Sequence, residues 1–143
     1  MKDTLINWFT RFNSFLIRIS GGKLGSKLGT QTVLLLHTVG RKSGRERVTL
    51  IAYFDYEGKY LLVASNWGRN KQADWFLNLQ SHPLARIEIR GTLREVQARV
   101  THDDEYERLW KFVTQRHPPY LDYQKMAARR IPVVLLEPIA NFS

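Results

Sequence analysis

The stretch RVTLIAYFDYEGKYLLVAS, residues 47–65, decides the class of fold. Two runs rich in Val, Ile, Leu, Tyr and Phe flank Glu57-Gly58, a pattern typical of a β-hairpin with a tight turn. Further strands are predicted at residues 32–37, 85–90, 92–100 and 131–137. Because these hairpins follow one another without the strand–helix–strand rhythm of a parallel sheet, we expect an α+β fold, a barrel of mostly antiparallel strands with flanking helices.

Helical signals lie between and after these strands. Helices are predicted at residues 71–80 and 103–115, and a third short helix is expected to begin at Pro118-Pro119. Thr101 is the expected N-cap of the second helix. Leu93 and Val96 fall out of phase with strand alternation, which predicts a β-bulge between them.

The composition indicates one ordinary domain with an anionic partner. The chain has 143 residues, 43% of them hydrophobic, and 22 Lys and Arg against 13 Asp and Glu give a net charge of +9. Nucleic acid, a phosphorylated or carboxylated cofactor, or an acidic membrane surface would each complement that charge. The absence of cysteine excludes disulfides, thiol catalysis and Cys-ligated metals, and it fits a cytoplasmic protein.

Residues 4–20 are predicted to form an amphipathic helix that precedes a single domain at residues 21–143. One interpretation packs its apolar face on the protein's own domain or on a dimer partner. The other lays it on a bilayer, at the inner face of the cell membrane, because aromatic residues beside Arg11 and Arg18 suit the headgroup region. The apolar positions recur at helical spacing: Leu5, Trp8, Phe9, Phe12, Phe15, Leu16 and Ile19.

The connection after the first long strand is strongly basic. Residues 40–47, Gly-Arg-Lys-Ser-Gly-Arg-Glu-Arg, hold four cations, two glycines and a serine. Backbone N–H groups of a glycine-rich turn and guanidinium groups can together bind phosphate or carboxylate oxygens. The composition leaves two interpretations open, an anion-binding loop or a solvated hairpin tip.

Two other segments combine aromatic and hydrogen-bonding residues. Residues 64–68, Ala-Ser-Asn-Trp-Gly, end a strand and precede the helix that carries Trp75, so they can meet the edge and face of a planar ring. Tyr120 and Tyr123 stand three apart on one helical face, where a phenol can donate a proton to a substrate. In both segments the alternative is a set of aromatic residues that only build the core.

Other functional classes lack their motifs in this chain. The four histidines, His37, His82, His102 and His117, have no metal-ligand spacing, so no metal site is expected. There is no nucleophile elbow, P-loop or dinucleotide fingerprint. The cations are dispersed and no nucleic-acid-binding signature accompanies them, so nucleic acid is not an expected partner.

Taken together, the segments resemble the deazaflavin (coenzyme F420)-dependent nitroreductase family, whose fold is a split β-barrel of the flavin-reductase, FMN-binding-like type. The resemblance covers residues 21–138, and the order and spacing of its motifs make it specific. Its motifs are GRKSG at residues 40–44 with Arg47, ASNWG at 64–68, WFLNL at 75–79, His82-Pro83, YLDYQ at 120–124, and IPVV at 131–134 with Glu137-Pro138. One departure is His117, which stands where some members carry another pocket tyrosine.

The resemblance implies a homodimer that binds F420, a deazaflavin with a phosphate and an oligoglutamate tail. Family residues that hold the tail, with their neighbours on the next strand, match Arg41, Lys42, Ser43, Arg47, Val48, Thr49 and Leu50. The loop at the ring and the helix that closes the pocket match Val63, Ala64, Ser65, Asn66, Asp74, Trp75, Phe76, Leu77 and Asn78, and Tyr120 matches the tyrosine beside ring and substrate.

The implied activity is that of an oxidoreductase. Hydride passes from reduced F420 to an electron-poor small molecule such as a quinone, an enone or a nitro compound. Tyr120 is the expected catalytic proton donor and Ser65 the second candidate, while Ser65, His117, Tyr120 and Tyr123 are the expected substrate contacts. Two alternatives stay open: a reductase that binds FMN in the same barrel, and a non-catalytic protein associated with membrane or lipid.

Overall fold

The computed structural model describes Lys27–Leu28 and residues 31–139. The predicted helix at residues 4–20 lies outside the described residues. The elements, in chain order, are β1 (Lys27–Leu28), β2 (Gln31–Val39), β3 (Glu46–Tyr56), β4 (Lys59–Val63), a 3-10 turn (Asn66–Gly68), α1 (Asp74–Ser81), β5 (Leu84–Ile89), β6 (Thr92–Val100), α2 (Asp103–Arg116), α3 (Pro119–Met126) and β7 (Val133–Pro138).

Six of the strands close into an antiparallel barrel. The sheet order is β1-β2-β3-β4-β7-β6-β5, and β2 pairs with β5 to close the ring. The short β1 adds to β2 beyond that ring, with Lys27 opposite Thr32. The predicted α+β barrel with flanking helices is therefore confirmed.

The barrel is open along one edge of β3. On one side, residues 46–53 of β3 pair with β2, from Thr32↔Tyr53 to Val39↔Glu46. On the other side it pairs with β4 only from Phe54↔Leu61 to Tyr56↔Lys59. Because β4 then continues along β7, residues 46–53 of β3 have no strand partner on the β4 side within the part of the chain that the structure describes. We call this stretch the β3 edge.

Two apolar clusters hold the described fold together. The first fills the barrel and includes Leu34, Leu36 and Ile87 from the strands with Phe76 and Leu79 from α1. The second lies on the outer face of β4 and β7, where α2 and α3 pack. Burial of each such side chain contributes on the order of 1.5–3 kcal/mol, so both clusters fix the helices relative to the strands.

Two local predictions are wrong. The β5–β6 register runs unbroken from Leu84↔Gln97 to Ile89↔Thr92, so there is no bulge between Leu93 and Val96. Instead Leu93 faces solvent, 54% exposed, while Val96 is buried. Thr101 is not a cap either, because its hydroxyl donates to the Val133 carbonyl at 2.8 Å and the helix begins after His102.

Candidate functional site

A continuous depression follows the β3 edge. Its first part, the basic groove, has a volume of about 600 Å³, and its second part, the aromatic cleft, has about 510 Å³. Both volumes fall in the range of small-molecule sites. Residues 46–49 line the basic groove and residues 49–52 line the aromatic cleft. Since neighbouring strand residues point to opposite faces, seven consecutive lining residues show that the depression runs along the strand's free edge.

The basic groove begins at the loop of residues 40–44. The Gly40 N–H donates to the Arg45 carbonyl at 2.7 Å, and the Gly44 N–H donates to the Gly40 carbonyl at 2.8 Å. A Cβ atom on Gly40 would lie 2.7 Å from Ser43 Oγ and 3.3 Å from the Arg45 carbonyl oxygen, so the Ser43 side chain would have to move to accommodate a larger residue there. This tight turn places Lys42 and Ser43 on the groove wall.

Arg41 anchors the loop to α1. Its backbone N–H and its Nη1 both donate to Asn78 Oδ1, at 3.1 and 2.9 Å, and its Nη2 donates to Asp74 Oδ1 at 3.2 Å. Asn78 is buried and donates in turn to Thr38 Oγ1 at 3.4 Å. The Arg41 guanidinium is thus engaged with the protein, whereas the exposed Lys42 and Arg47 present their charges to the groove.

Both acidic residues on the groove wall are paired with cations or with histidine. Asp74 accepts from Arg41, and Glu46 contacts His37 Nδ1 and lies 3.8 Å from Arg86 Nη2. Pairing offsets their negative charge, so the groove as a whole attracts anions.

The loop after β4 forms one wall of the aromatic cleft. Asn66, Trp67 and Gly68 have φ values of 46°, 60° and 78°, three left-handed residues in a row. Such conformations cost free energy in non-glycine residues and persist only where surrounding contacts hold them. The Asn66 side chain donates to the Lys71 carbonyl at 2.8 Å, and Trp67 meets Tyr123 edge-on with ring centroids 6.1 Å apart.

Tyr120, on α3, forms the opposite wall. It is 6% exposed, and its hydroxyl oxygen accepts a hydrogen bond from Gln31 Nε2 at 3.0 Å. Burial raises the pKa of Tyr120, so the phenol keeps its proton at neutral pH. Because Gln31 donates to the oxygen, the phenol's own O–H is available to donate into the cleft.

His117 lies beside Tyr120 and lines the same cleft. The two rings meet edge-on with centroids 4.8 Å apart. Burial lowers the pKa of His117, so the imidazole is neutral at neutral pH. With both rings uncharged, this end of the cleft suits an uncharged planar molecule.

The structure brings together most of the site residues predicted from the sequence. Those on the basic groove are Arg41, Lys42, Ser43, Arg47, Val48 and Asn78; those on the cleft are Leu50, Val63, Ser65, Asn66, His117, Tyr120 and Tyr123; Thr49, Asp74 and Trp75 line both. Ala64, Phe76 and Leu77 line neither. Ala64 and Phe76 lie in the barrel core, and Leu77 packs against it, because only the helical face with Trp75 and Asn78 meets the groove.

Several lining residues did not emerge from the sequence. Gln31 and Val33 reach the cleft from β2, and Arg69, Lys71 and Gln72 reach it from the loop after β4. The apolar pattern predicted β3 and β4 as strands, but it carries no signal for which strand edge stays unpaired. Ile51 and Ala52 line the cleft because they belong to the β3 edge, and their place in the cleft could therefore not be predicted.

The fold and the groove define a class, the split-barrel proteins. A solved structure described as a domain-swapped dimer is similar, with a TM-score of 0.70 and 28% identity, covering 92% of this chain and 98% of that one. The F420-H2 dependent reductase FDR-A is also similar, with a TM-score of 0.67 and 32% identity over 73% of this chain and 93% of that one. Both similarities confirm the split barrel.

Sequence comparison gives the family. An "F420H(2)-dependent quinone reductase" of Mycobacterium tuberculosis is 34% identical over 130 residues, 88% of this chain and 87% of that protein. The profile of the F420H(2)-dependent quinone reductase family matches residues 8–138. The chain belongs to this family. It is an F420-dependent reductase with coenzyme F420 as its cofactor, which confirms the relationship inferred from the motifs.

None of the helices within residues 31–139 is long and apolar enough to cross a membrane.

Proposed function

We propose that this protein transfers hydride from reduced F420 to a quinone-type acceptor, and that F420 lies along the β3 edge. The continuity of the basic groove with the aromatic cleft carries this proposal, because the two share Thr49, Asp74 and Trp75. A cofactor with a flat ring and a long anionic tail needs such a combination of sites.

The basic groove fits the anionic tail. Lys42 and Arg47 supply the charges, Ser43 supplies a hydroxyl, and Arg41 holds the loop against α1. A hydrogen bond between a cation and phosphate or carboxylate contributes roughly 1.5–3 kcal/mol. Two or three such bonds would contribute substantially to binding of the tail.

The aromatic cleft fits the ring. The peptide groups of the β3 edge face the cleft where no strand pairs with them, so they can hydrogen-bond the polar edge of a planar ring. Across the cleft, Val63, Ser65 and Asn66 form a wall of small and amide side chains. These groups would hold such a ring by its edge, with one face toward α3.

Bound F420 supplies a hydride from its C5 carbon. The side chains of the chain position the acceptor over that face and supply a proton to the acceptor oxygen. Tyr120 is the proposed proton donor because its phenol is protonated and its oxygen accepts, rather than donates, in the bond with Gln31; Ser65, whose hydroxyl also lines the cleft, is the second candidate. His117 and Tyr123 complete the acceptor side, and together these aromatic rings exclude water from the reacting atoms.

The experiment that tests the function has two parts. Fluorescence titration of the purified protein should show binding of F420 and much weaker binding of FMN, since FMN lacks the oligoglutamate tail. Steady-state oxidation of reduced F420 should then proceed with a soluble quinone. Enones and nitro compounds, which are also electron-poor, belong to the same proposed acceptor range and are assayed in parallel. Absence of F420 binding, or binding without turnover of any acceptor, would refute the proposal.

Two finer proposals concern assembly. We propose that the protein forms homodimers, supported by the domain-swapped dimer among its structural relatives, and sedimentation at micromolar concentration tests this. We also propose that residues 4–20 attach the protein to the inner face of the cell membrane, near lipophilic quinones. The aromatic residues of this segment, together with Arg11 and Arg18, support that proposal.

A further inference from the structure

Arg129 lies behind the wall of the aromatic cleft, and all three nitrogens of its guanidinium donate hydrogen bonds to the segment that follows β4. Nε donates to the Arg69 carbonyl at 3.0 Å, and Nη2 donates to the Ser65 carbonyl at 3.0 Å. Nη1 donates to Gln72 Oε1 at 2.9 Å and to the Ala64 carbonyl at 3.3 Å. All four acceptors belong to residues 64–72, which we call the cleft loop.

The cleft loop needs such a partner. β4 ends at Val63, so the Ala64 and Ser65 carbonyls lie beyond the strand. The next three residues are left-handed, and their turn contains only short-range backbone bonds, from Gly68 N–H to the Ser65 carbonyl and from Arg69 N–H to the Asn66 carbonyl. An external donor that reaches both ends of the loop therefore selects this conformation over more extended ones.

Arg129 is itself fixed from α3. Gln124 Nε2 donates to the Arg129 carbonyl at 2.8 Å, and Gln124 Oε1 accepts from the Ile131 N–H at 2.9 Å. The Ala128 N–H donates to Asn70 Oδ1 at 2.6 Å, a second link to the cleft loop. Since α3 also carries Tyr120, Arg129 couples the two walls of the cleft.

The chemistry of these contacts suits arginine alone. Its partners are neutral oxygens, and among the described residues no carboxylate forms an ion pair with it. A guanidinium offers five N–H donors in a rigid plane, whereas a lysine ammonium offers three on a flexible stem. Arg129 therefore fixes geometry in several directions at once.

We propose that Arg129 is a positioning residue for hydride transfer, which sets the separation of Ser65 and Asn66 from Tyr120 across the cleft. This inference rests on the proposed function for its catalytic consequence. Its structural part, the ordering of the cleft loop by Arg129, stands on the contacts alone.

The first test uses the protein without cofactor. We expect Arg129→Gln and Arg129→Lys to raise hydrogen–deuterium exchange at the backbone amides of residues 64–72 by at least about tenfold, because the loop loses hydrogen bonds donated by the Arg129 guanidinium. The matched control is Arg130→Gln, which removes the same charge one residue away. Arg130 is exposed and pairs with Glu107 at 3.1 Å, away from the cleft. Equal exchange in all variants and the wild type would overturn the proposal.

The second test measures the rate of quinone reduction. With F420 saturating, Arg129→Lys should lower kcat for a quinone at least about tenfold. The salt dependence of F420 binding should stay as in the wild type, because it reflects the ionic contacts between the F420 tail and the basic groove. Guanidinium at millimolar concentration should restore part of the kcat of Arg129→Ala and should have no effect on Arg130→Gln. Wild-type kcat in Arg129→Lys together with no rescue of Arg129→Ala would overturn the positioning role.

These outcomes separate the two proposals. If the wild type binds no F420 or reduces no quinone, the proposed function fails while the exchange experiment still decides the role of Arg129. If the wild type turns over and the Arg129 variants match it, the positioning role fails and the function stands. If Arg129→Gln does not fold, the conservative Arg129→Lys decides both measurements.

Discussion

Tyr120 shows how much of a residue's role depends on its neighbours. The sequence places it on a helical face with Tyr123, and that spacing suits a substrate contact as well as a core aromatic. The Gln31 hydrogen bond and the raised pKa make it a protonated donor with a free O–H. Gln31 begins the first long strand and has no pattern of its own, so its contribution could not be predicted from sequence.

Replacement of the hydroxyl tests this role. Tyr120→Phe should keep the fold and F420 affinity but lower kcat for a quinone at least about tenfold, since one positioned proton donor typically contributes 10²–10⁴ in rate. Steady-state oxidation of reduced F420 measures it. The control is Tyr123→Phe, on the same helix, which should change kcat less. If Tyr120→Phe matches the wild type and Ser65→Ala does not, the proton-donor role belongs to Ser65.

Lys42 and Arg47, the exposed cations that line the basic groove, give a second prediction. Lys42→Ala and Arg47→Ala should each weaken F420 binding at least about tenfold, as expected for loss of one charge-assisted hydrogen bond. Added salt should weaken binding by the wild type more than by either variant. Arg45→Ala is the control, because Arg45 shares the loop but does not line the groove. Unchanged affinity in both variants would exclude this loop as the tail site.

At the scale of elements, the strands were predictable and the turn after β4 was not. Runs rich in β-branched and aromatic residues define β3 and β4, and the alternation of Ile87 and Ile89 with charged residues defines β5, because a half-buried strand imposes a period of two. The left-handed turn at residues 66–68 depends instead on contacts with α3 and Arg129, which are distant in sequence. The predicted bulge at Leu93 was wrong because the sequence does not distinguish an exposed leucine on a regular strand from a leucine displaced by a bulge.

Gly68 provides a test of that turn. A Cβ there would lie 3.0 Å from the Tyr123 carbonyl and 3.1 Å from Met126 Cβ, in addition to the strain of a positive φ. Gly44 has a similar φ of +72° but open space around it. Gly44→Ala should therefore cost about 1–2 kcal/mol of unfolding free energy, and Gly68→Ala at least about 1 kcal/mol more. Denaturant unfolding measures both, and equal costs would contradict the close packing on α3.

Deletion of the N-terminal segment tests whether it binds a membrane. The full chain should co-sediment with anionic liposomes, and a chain without residues 1–20 should do so much less, because the aromatic and cationic residues of the segment are the proposed contacts. Circular dichroism of the shortened chain serves as the control. Retention of both forms in the supernatant, or unfolding of the shortened chain, would show that the segment belongs to the core.

For the whole molecule, an ion-pair network couples the barrel to α2. Arg99 on β6 donates to both oxygens of Glu105 on α2 and to Glu137 on β7. These hydrogen bonds lower the pKa of both carboxyls from their ordinary value of about 4.5. The network therefore stabilises the fold above about pH 4.5, and that stabilisation is lost as the pH falls through the lowered values.

Arg99→Gln tests the network. It should lower Tm by about 2–4 °C at pH 7, a modest amount because these groups are partly solvated. The difference from the wild type should shrink as the pH falls through the lowered pKa values of the two carboxyls, because protonation removes their charge. The control is Lys111→Gln, an exposed charge on α2. A Tm difference that does not change with pH would show that Arg99 acts through packing of its stem.

The unpaired stretch of β3 also has a consequence for solubility. A strand edge with free peptide groups is a template on which another chain can add a strand, which is how many β proteins aggregate. Here the edge lies at the bottom of a groove between α1 and the loop after β4, and Arg47 stands on the strand itself. Charged residues at such an edge act as gatekeepers against intermolecular pairing. The cations of the basic groove, which we propose to bind the cofactor tail, therefore also disfavour pairing of this edge with a neighbouring molecule.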